Sequence, residues 1–122
     1  MKLQLSNTPN QKIFTEHGPG YVAVNGQRFE RPVVVTPRQV LTDWLAQDFA
    51  ALEEAHFEYF LAFEPEVVVI GTGERLQFPH PRLYRKLVEA HIGVEFMDNA
   101  AACRTFDILV SEDRKVVAAI LL

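Results

Sequence analysis

Short apolar runs, separated by turn residues, fill the first third of this 122-residue chain and are typical of strands. The dipeptide Asn25-Gly26 favours a two-residue hairpin turn, so we expect Tyr21–Val24 and Gln27–Glu30 to pair. Further strand-like runs are "KIFTEHG", "RPVVVTP" and "QVLTDWL". These patterns predict β-hairpins in the amino-terminal half.

The period changes in the middle of the chain. Apolar residues recur at helical spacing over Ala51–Phe63, which predicts a helix that ends before Pro65. The continuous apolar run Glu66–Ile70 is typical of a strand covered on both faces, as in parallel sheets. A second helix is predicted over His80–His91, with Gly93 as its left-handed cap. Its predicted apolar side consists of Leu83, Tyr84, Leu87 and Ala90.

The last third continues the alternation of strand and helix. Val94–Met97 predicts a strand, and Asp98 or Asn99 is placed to cap a helix from Ala100 to about Ser111. The apolar run "KVVAAILL" predicts the final strand. Two successive strand–helix–strand units predict an α/β fold with parallel strand pairs, and we expect residues 1–122 to form a single domain.

The sequence Gly71-Thr72-Gly73 follows a predicted strand, as the glycines of nucleotide sites do. Leu76 occupies the third glycine position of the dinucleotide fingerprint, and prolines delay the next helix, so we do not expect a dinucleotide cofactor. We expect no other cofactor either. One interpretation is a turn that needs glycine for its backbone.

The other interpretation is a ligand crevice at the carboxyl ends of two parallel strands. Backbone amides around Thr72 and at the start of the helix after Asn99 could hold a small anion there. The candidate ligand-binding residues are Gly71, Thr72, Gly73, Arg75, Asp98 and Asn99.

Charge and composition exclude several classes of function. The net charge of −4 argues against a nucleic-acid partner, since phosphate backbones favour basic surfaces. No stretch approaches the roughly 20 apolar residues of a membrane span. The amino terminus does not have the apolar core of a signal peptide. We therefore expect a cytoplasmic protein with no integral membrane segment.

Cys103 is the only cysteine, so no disulfide can form within the chain. It is either a small buried hydrophobe or a reactive thiol. Arg104 would favour the thiolate, whereas a nearby Asp107 would oppose it. The four histidines do not have metal-ligand spacing, so we expect no metal site.

Apolar residues outside the predicted core faces indicate a contact surface. Ile108 lies opposite the apolar face of its helix, and Phe57 lies on a helix with more aromatic residues than one core face needs. These two residues make a protein partner or self-association a hypothesis.

Several ordered motifs carry a resemblance to a known family. They are the Gly-Thr-Gly turn, Phe78-Pro79, Met97-Asp98, the helical segment Ala101–Phe106 and the turn Glu112–Arg114. In these the chain resembles the small domain of unknown function found in mitochondrial complex I assembly factor three, in the adipogenesis-associated domain protein, and in stand-alone bacterial proteins. The resemblance implies a three-layer α/β fold with a central mixed sheet.

The resemblance also bears on function. No enzymatic activity is established for the family, and its best-understood member acts through proteins to assemble a respiratory complex. The family usually has Thr at position 99 and Asn at position 107, which we expect to lie near the crevice. The resulting hypothesis is a non-enzymatic binding or assembly module. The alternative is a small-anion or metabolite-binding enzyme or sensor that uses the crevice.

Overall fold

A five-stranded mixed sheet forms the middle of the structure, a computed structural model that describes residues 11–122. The strands are β1 (Phe14–Gly18), β2 (Tyr21–Val24), β3 (Gln27–Phe29), β4 (Val33–Val35), β5 (Val40–Leu41), β6 (Val67–Gly71), β7 (Gly93–Met97) and β8 (Val116–Ile120). The helices are α1 (Glu54–Glu58), α2 (Arg85–Glu89) and α3 (Asn99–Ser111), with 3-10 turns at Phe49–Ala51, Tyr59–Phe63 and Pro81–Tyr84.

The central sheet has the strand order β5-β4-β8-β6-β7. Strand β6 is parallel to both β7 and β8, whereas β4 is antiparallel to β5 and β8. The unit β6-α2-β7 supplies one parallel pair. The crossover β7-α3-β8 passes β6 and places β8 parallel to it on its other side, so both predicted strand–helix–strand units contain parallel strands. Val68, Val69 and Ile70 are fully buried, because layers cover both faces of β6.

A separate antiparallel sheet of β1, β2 and β3 comes from the amino-terminal hairpins. Val24 pairs with Gln27 across Asn25 and Gly26, whose φ angles are both positive, as the predicted hairpin turn requires. The predicted three-layer α/β fold with a central mixed sheet is therefore confirmed.

Two hydrophobic cores lie on the two faces of the central sheet. On one face, α3 and the small sheet pack over β8 and β6, and the rings of Phe14 and Phe106 meet edge to face at 5.3 Å. On the other face, α1 and α2 enclose a cluster of aromatic rings. Phe57 and Phe60 lie at the centre of this second core.

The prediction of a single helix over Ala51–Phe63 is wrong. Leu52 and Glu53 have extended backbone, which separates a 3-10 turn from α1, and the Glu53 amide donates to Nδ1 of His56 at 2.9 Å. After α1 the chain winds more tightly through Tyr59–Phe63 and ends at a left-handed Glu64. Of the predicted strand "QVLTDWL", only Val40–Leu41 pairs.

The helix predicted over His80–His91 is half 3-10 turn and half α-helix. Because a 3-10 turn has fewer residues per turn than an α-helix, the predicted apolar side does not stay aligned, and Ala90 is exposed while Leu87 is buried. His91, with φ of 63°, takes the left-handed position that was predicted for Gly93. Gly93 instead begins β7.

Candidate functional site

The Gly-Thr-Gly loop lies at the carboxyl ends of β6 and β7, where the sequence placed it. The Thr72 amide donates to the Met97 carbonyl at 2.9 Å, and the Asn99 amide donates to the Gly73 carbonyl at 2.8 Å. The Gly73 amide donates to Oδ1 of Asn99 at 3.0 Å. The amides proposed to hold an anion at Thr72 and Gly73 are therefore used inside the protein.

Asn99 joins three segments of the chain. Its Oδ1 holds the loop, and its Nδ2 donates to the Leu121 carbonyl at 2.8 Å, just beyond β8. A Cβ at Gly71 would collide with Oδ1 of Asn99 and lie 3.0 Å from Cδ1 of Ile120. Gly73 has φ of 109°, which favours glycine. Both positions therefore need glycine, Gly71 because a side chain would collide with its neighbours and Gly73 because its φ angle is positive.

Thr72 and Asp98 organise the same junction. Thr72 is 3% exposed, and its Oγ1 donates to the Arg75 carbonyl at 2.7 Å and accepts from the Gln77 amide at 3.1 Å. Asp98 is the residue that caps α3, since its Oδ1 accepts from the Ala101 amide at 2.8 Å. The Thr72 hydroxyl shapes the loop that surrounds it.

A cavity of about 460 Å³ opens beside this loop. Of the predicted ligand-binding residues, Thr72, Gly73 and Arg75 line it, whereas Gly71, Asp98 and Asn99 support the backbone behind it. Arg75 forms no ion pair with residues 11–122, and it shares the lining with the carboxylates of Asp48 and Glu74. The cavity thus combines one cation with two anionic groups.

Cys103 is only 2% exposed and lies in the core between α3 and the central sheet. Burial, reinforced by the charge of Asp107 and only partly offset by Arg104, raises the pKa of this thiol to about 12. The thiol is therefore protonated at neutral pH. The reactive-thiol interpretation gains no support from this position and stays a prediction.

Asp107 lies away from the crevice, contrary to expectation. Its Oδ1 accepts from the Phe14 amide at 2.8 Å, so it joins α3 to β1. Burial raises the pKa of this half-buried carboxyl, and the bond from Phe14 acts in the opposite direction.

The two residues proposed for a partner surface have different positions. Ile108 is 57% exposed on α3, as its place on the helix predicted. Phe57 is 1% exposed, so its assignment to a surface needs correction. Its ring packs against those of Phe60, Tyr84 and Phe96, since the aromatic side of α1 faces the central sheet.

Sequence reasoning missed two surface features. Phe78 is 70% exposed, and its only sequence signal was the Phe-Pro motif. A second cavity, of about 420 Å³, lies between the β4–β5 turn and the α3–β8 turn and is lined by Thr36, Arg38, Phe63 and Lys115 among others. No sequence signal could have found it, because its walls come from distant segments.

Within residues 11–122, no group of three or more His, Cys, Asp or Glu side chains is placed to hold a metal ion. Among the helices in this part of the chain, none combines the length and apolar character needed to cross a membrane.

Comparisons with known proteins place the chain in a family. A family model described as "Protein of unknown function (DUF498/DUF598)" matches residues 14–121. The chain is 30% identical over 122 residues to the "13 kDa major membrane protein" of Francisella tularensis subsp. holarctica, with 99% of each chain covered. A crystal structure of a Bordetella parapertussis protein has 34% identity and a TM-score of 0.87, over 94% of this chain and 98% of that one.

The chain is also similar to a eukaryotic assembly factor. It is 36% identical over 104 residues to NADH dehydrogenase (ubiquinone) 1 alpha subcomplex assembly factor 3 of Bos taurus. The match covers 84% of this chain and 55% of that protein, so the chain spans about half the length of this relative. These matches confirm the resemblance noted in the sequence, and the chain belongs to the DUF498/DUF598 family of proteins of unknown function.

Proposed function

We propose that this protein is a non-enzymatic binding or assembly module that acts through protein partners in the cytoplasm. The observation that carries the proposal is the match to a relative named as an assembly factor, which covers most of this chain. Because the chain corresponds to about half of that relative, we carry over only a role in protein binding, not its respiratory complex.

The surface of α3 supports this proposal. Ile108 is 57% exposed, on the side of α3 that faces away from the core residues Cys103 and Phe106. Covering an apolar side chain on the outer face of a helix stabilises the complex with the partner that covers it. α3 is the longest helix of residues 11–122 and packs on the central sheet, so it presents Ile108 on a rigid support.

The test compares two charge substitutions at exposed apolar positions. The tagged full chain, its Ile108→Asp variant and the control Leu45→Asp are expressed in the source cell, and co-purifying proteins are quantified by mass spectrometry. Leu45 is 81% exposed and lies between β5 and α1, away from α3.

We expect Ile108→Asp to lower recovery of a specific partner by about tenfold, since each 1.4 kcal/mol of lost binding is a factor of ten. Leu45→Asp should retain the partner. Equal recovery by all three proteins, or no enriched protein with the unsubstituted chain, would contradict the proposal.

The cavity beside the Gly-Thr-Gly loop supports a second candidate, a small-anion or metabolite-binding enzyme or sensor. Arg75 is the cation that could hold a carboxylate or phosphate there, near Thr72 and Gly73. Thermal unfolding with inorganic phosphate and with small carboxylates tests this candidate. A stabilisation that Arg75→Ala abolishes and Arg82→Ala retains would support it, and an unchanged unfolding temperature with every probe would refute it.

A further inference from the structure

Within residues 11–122, one edge of the central sheet carries no neighbouring strand. Strand β7 is the last in the order β5-β4-β8-β6-β7, and among the described strands it pairs with β6 only, along its whole length. Such an edge presents unpaired backbone donors and acceptors, which form a template for another strand.

Two hydrogen bonds show which backbone N–H and C=O groups of β7 point away from β6 to the edge of the sheet. The Gly93 amide donates to the Glu66 carbonyl, and the Met97 carbonyl accepts from the Thr72 amide. In a parallel pair, alternate residues direct both backbone groups to the same neighbour, so Gly93, Glu95 and Met97 bond to β6. The N–H and C=O groups of Val94 and Phe96 therefore point to the open edge.

The other outer strands of the two sheets present a less complete edge for pairing with another strand. β5 has two residues and β3 has three. β1 has five, but its Phe14 amide is already bonded to Asp107. β7 has five residues, with no proline or lysine that would hinder pairing, so it is the most complete open edge of residues 11–122.

The two faces beside this edge differ in chemistry. On the face of α1 and α2, the ring of Phe96 lies 6.2 Å from that of Phe78, which is 70% exposed. On the face of α3, the exposed Glu95 carboxylate has no ion pair within residues 11–122. A strand added here would meet aromatic surface on one face and the negative charge of Glu95 on the other.

We propose that the open edge of β7 accepts an extended segment of a partner protein as a sixth strand of the central sheet. The segment carries apolar side chains at two alternate positions, over Phe78 and Phe96, and a Lys or Arg between them, opposite Glu95. This inference rests on the proposed function as a protein-binding module and identifies the surface and the partner chemistry.

Charge favours a different protein over a second copy of this chain. A two-fold antiparallel pairing that uses the backbone groups of both Val94 and Phe96 has its axis at Glu95. That arrangement places Glu95 of each copy directly opposite the other, where like charges destabilise a strand pair. A basic residue of a partner strand would instead form a favourable cross-strand pair at this position.

The probes are two capped peptides that read the same in both directions, Thr-Val-Lys-Val-Thr and its Glu-centred counterpart. Each is titrated to about 5 mM into the ¹⁵N-labelled full chain, within the weak range expected of a short segment. We expect the Lys peptide to shift the amide signals of Val94 and Phe96 and to slow their hydrogen exchange about tenfold near saturation. The Glu peptide should bind about two- to tenfold more weakly.

Two exposed substitutions make the test specific. Glu95→Lys should reverse the preference of the protein for the two peptides, and Phe78→Ser should weaken both without changing thermal stability. The matched control Leu45→Ser should bind like the unsubstituted protein.

Three outcomes would overturn the inference. They are the absence of any effect at Val94 and Phe96, equal binding of the two peptides, and slowed exchange at these amides that depends on protein concentration without peptide. The last would identify a second copy as the occupant. Loss of a partner by Ile108→Asp alongside failure of both peptides would leave the proposed function standing and refute only this edge.

Discussion

Removing the side chain of Asn99 tests whether the Gly-Thr-Gly loop is a structural junction. Asn99→Ala deletes the acceptor of the Gly73 amide and the donor to the Leu121 carbonyl. Each bond contributes about 0.5–1.5 kcal/mol, and each buried group left unpaired costs about 1–3 kcal/mol. Leu121 is 3% exposed, so water cannot readily replace the lost donor. Gly73 is only partly buried, so water can pair its freed amide. The lost bond at Gly73 and the unpaired Leu121 carbonyl together predict a loss of about 1.5–4.5 kcal/mol in the free energy of unfolding.

Urea unfolding followed by circular dichroism measures this loss. With a slope of about 1.5 kcal/mol per molar urea, the midpoint should fall by about 1–3 M while the slope stays constant. Asn99→Asp keeps an acceptor for Gly73 but places a carboxylate oxygen against the Leu121 carbonyl, so it should also destabilise. Hydrogen exchange at the Gly73 amide should accelerate in Asn99→Ala more than in Asn99→Asp.

Thr105→Ala is the control on the same helix, because the Thr105 hydroxyl makes no hydrogen bond with residues 11–122. It should change the free energy of unfolding by less than about 0.5 kcal/mol. If Asn99→Ala falls within the same range, the junction is not a stabilising element and the reasoning fails.

Three further changes test the local chemistry. Gly71→Ala should lower the free energy of unfolding by about 1–3 kcal/mol through overpacking, whereas Gly93→Ala, with its nearest neighbour at 3.5 Å, should be tolerated in the same urea assay. Cys103 should react with iodoacetamide at pH 8 only after unfolding, because its thiol is buried with a pKa of about 12; modification of the native protein, seen by mass spectrometry, would contradict this. The raised pKa of Asp107 stabilises the fold at low pH, and this contribution is lost as pH rises through the folded pKa, above its usual 3.8. Asp107→Asn can still accept from Phe14, so its stability relative to the unsubstituted protein should increase with pH, and a constant difference in urea titrations would refute that assignment.

Local patterns were sufficient to predict most of the sheet. The dipeptide Asn25-Gly26 predicts its hairpin because the turn type depends on those two residues alone. The run Val67–Ile70 predicts a parallel strand because it must be apolar on both faces. Helix α3 followed from its cap and its spacing.

The short helices could not be predicted in the same way. The break before α1 depends on the extended backbone of Leu52 and Glu53, and apolar spacing carries no information about such a break. The same spacing did not show that Phe57 faces inward, because the aromatic residues of that segment surround more than one side. Tertiary packing determines both outcomes.

The position of the candidate loops in the fold was predicted from the sequence, but their contacts were not. The rule for parallel strands placed the loops of Gly71 and Asp98 at one edge. It could not show that the Asn99 side chain would accept from the Gly73 amide, since that bond depends on the rotamer of a residue 26 positions away in the sequence. The open edge of β7 depends on strand order, which no local pattern contains.

Hydrogen exchange of the full chain, alone and bound to its purified partner, tests the central claim of a protein-binding module most directly. We expect slower exchange in β7 and in the part of α3 around Ile108 when the partner is bound. The loop Thr72–Arg75 should exchange equally in both states. Protection confined to that loop, with β7 and α3 unchanged, would contradict a role in protein binding and favour the cavity as the functional site.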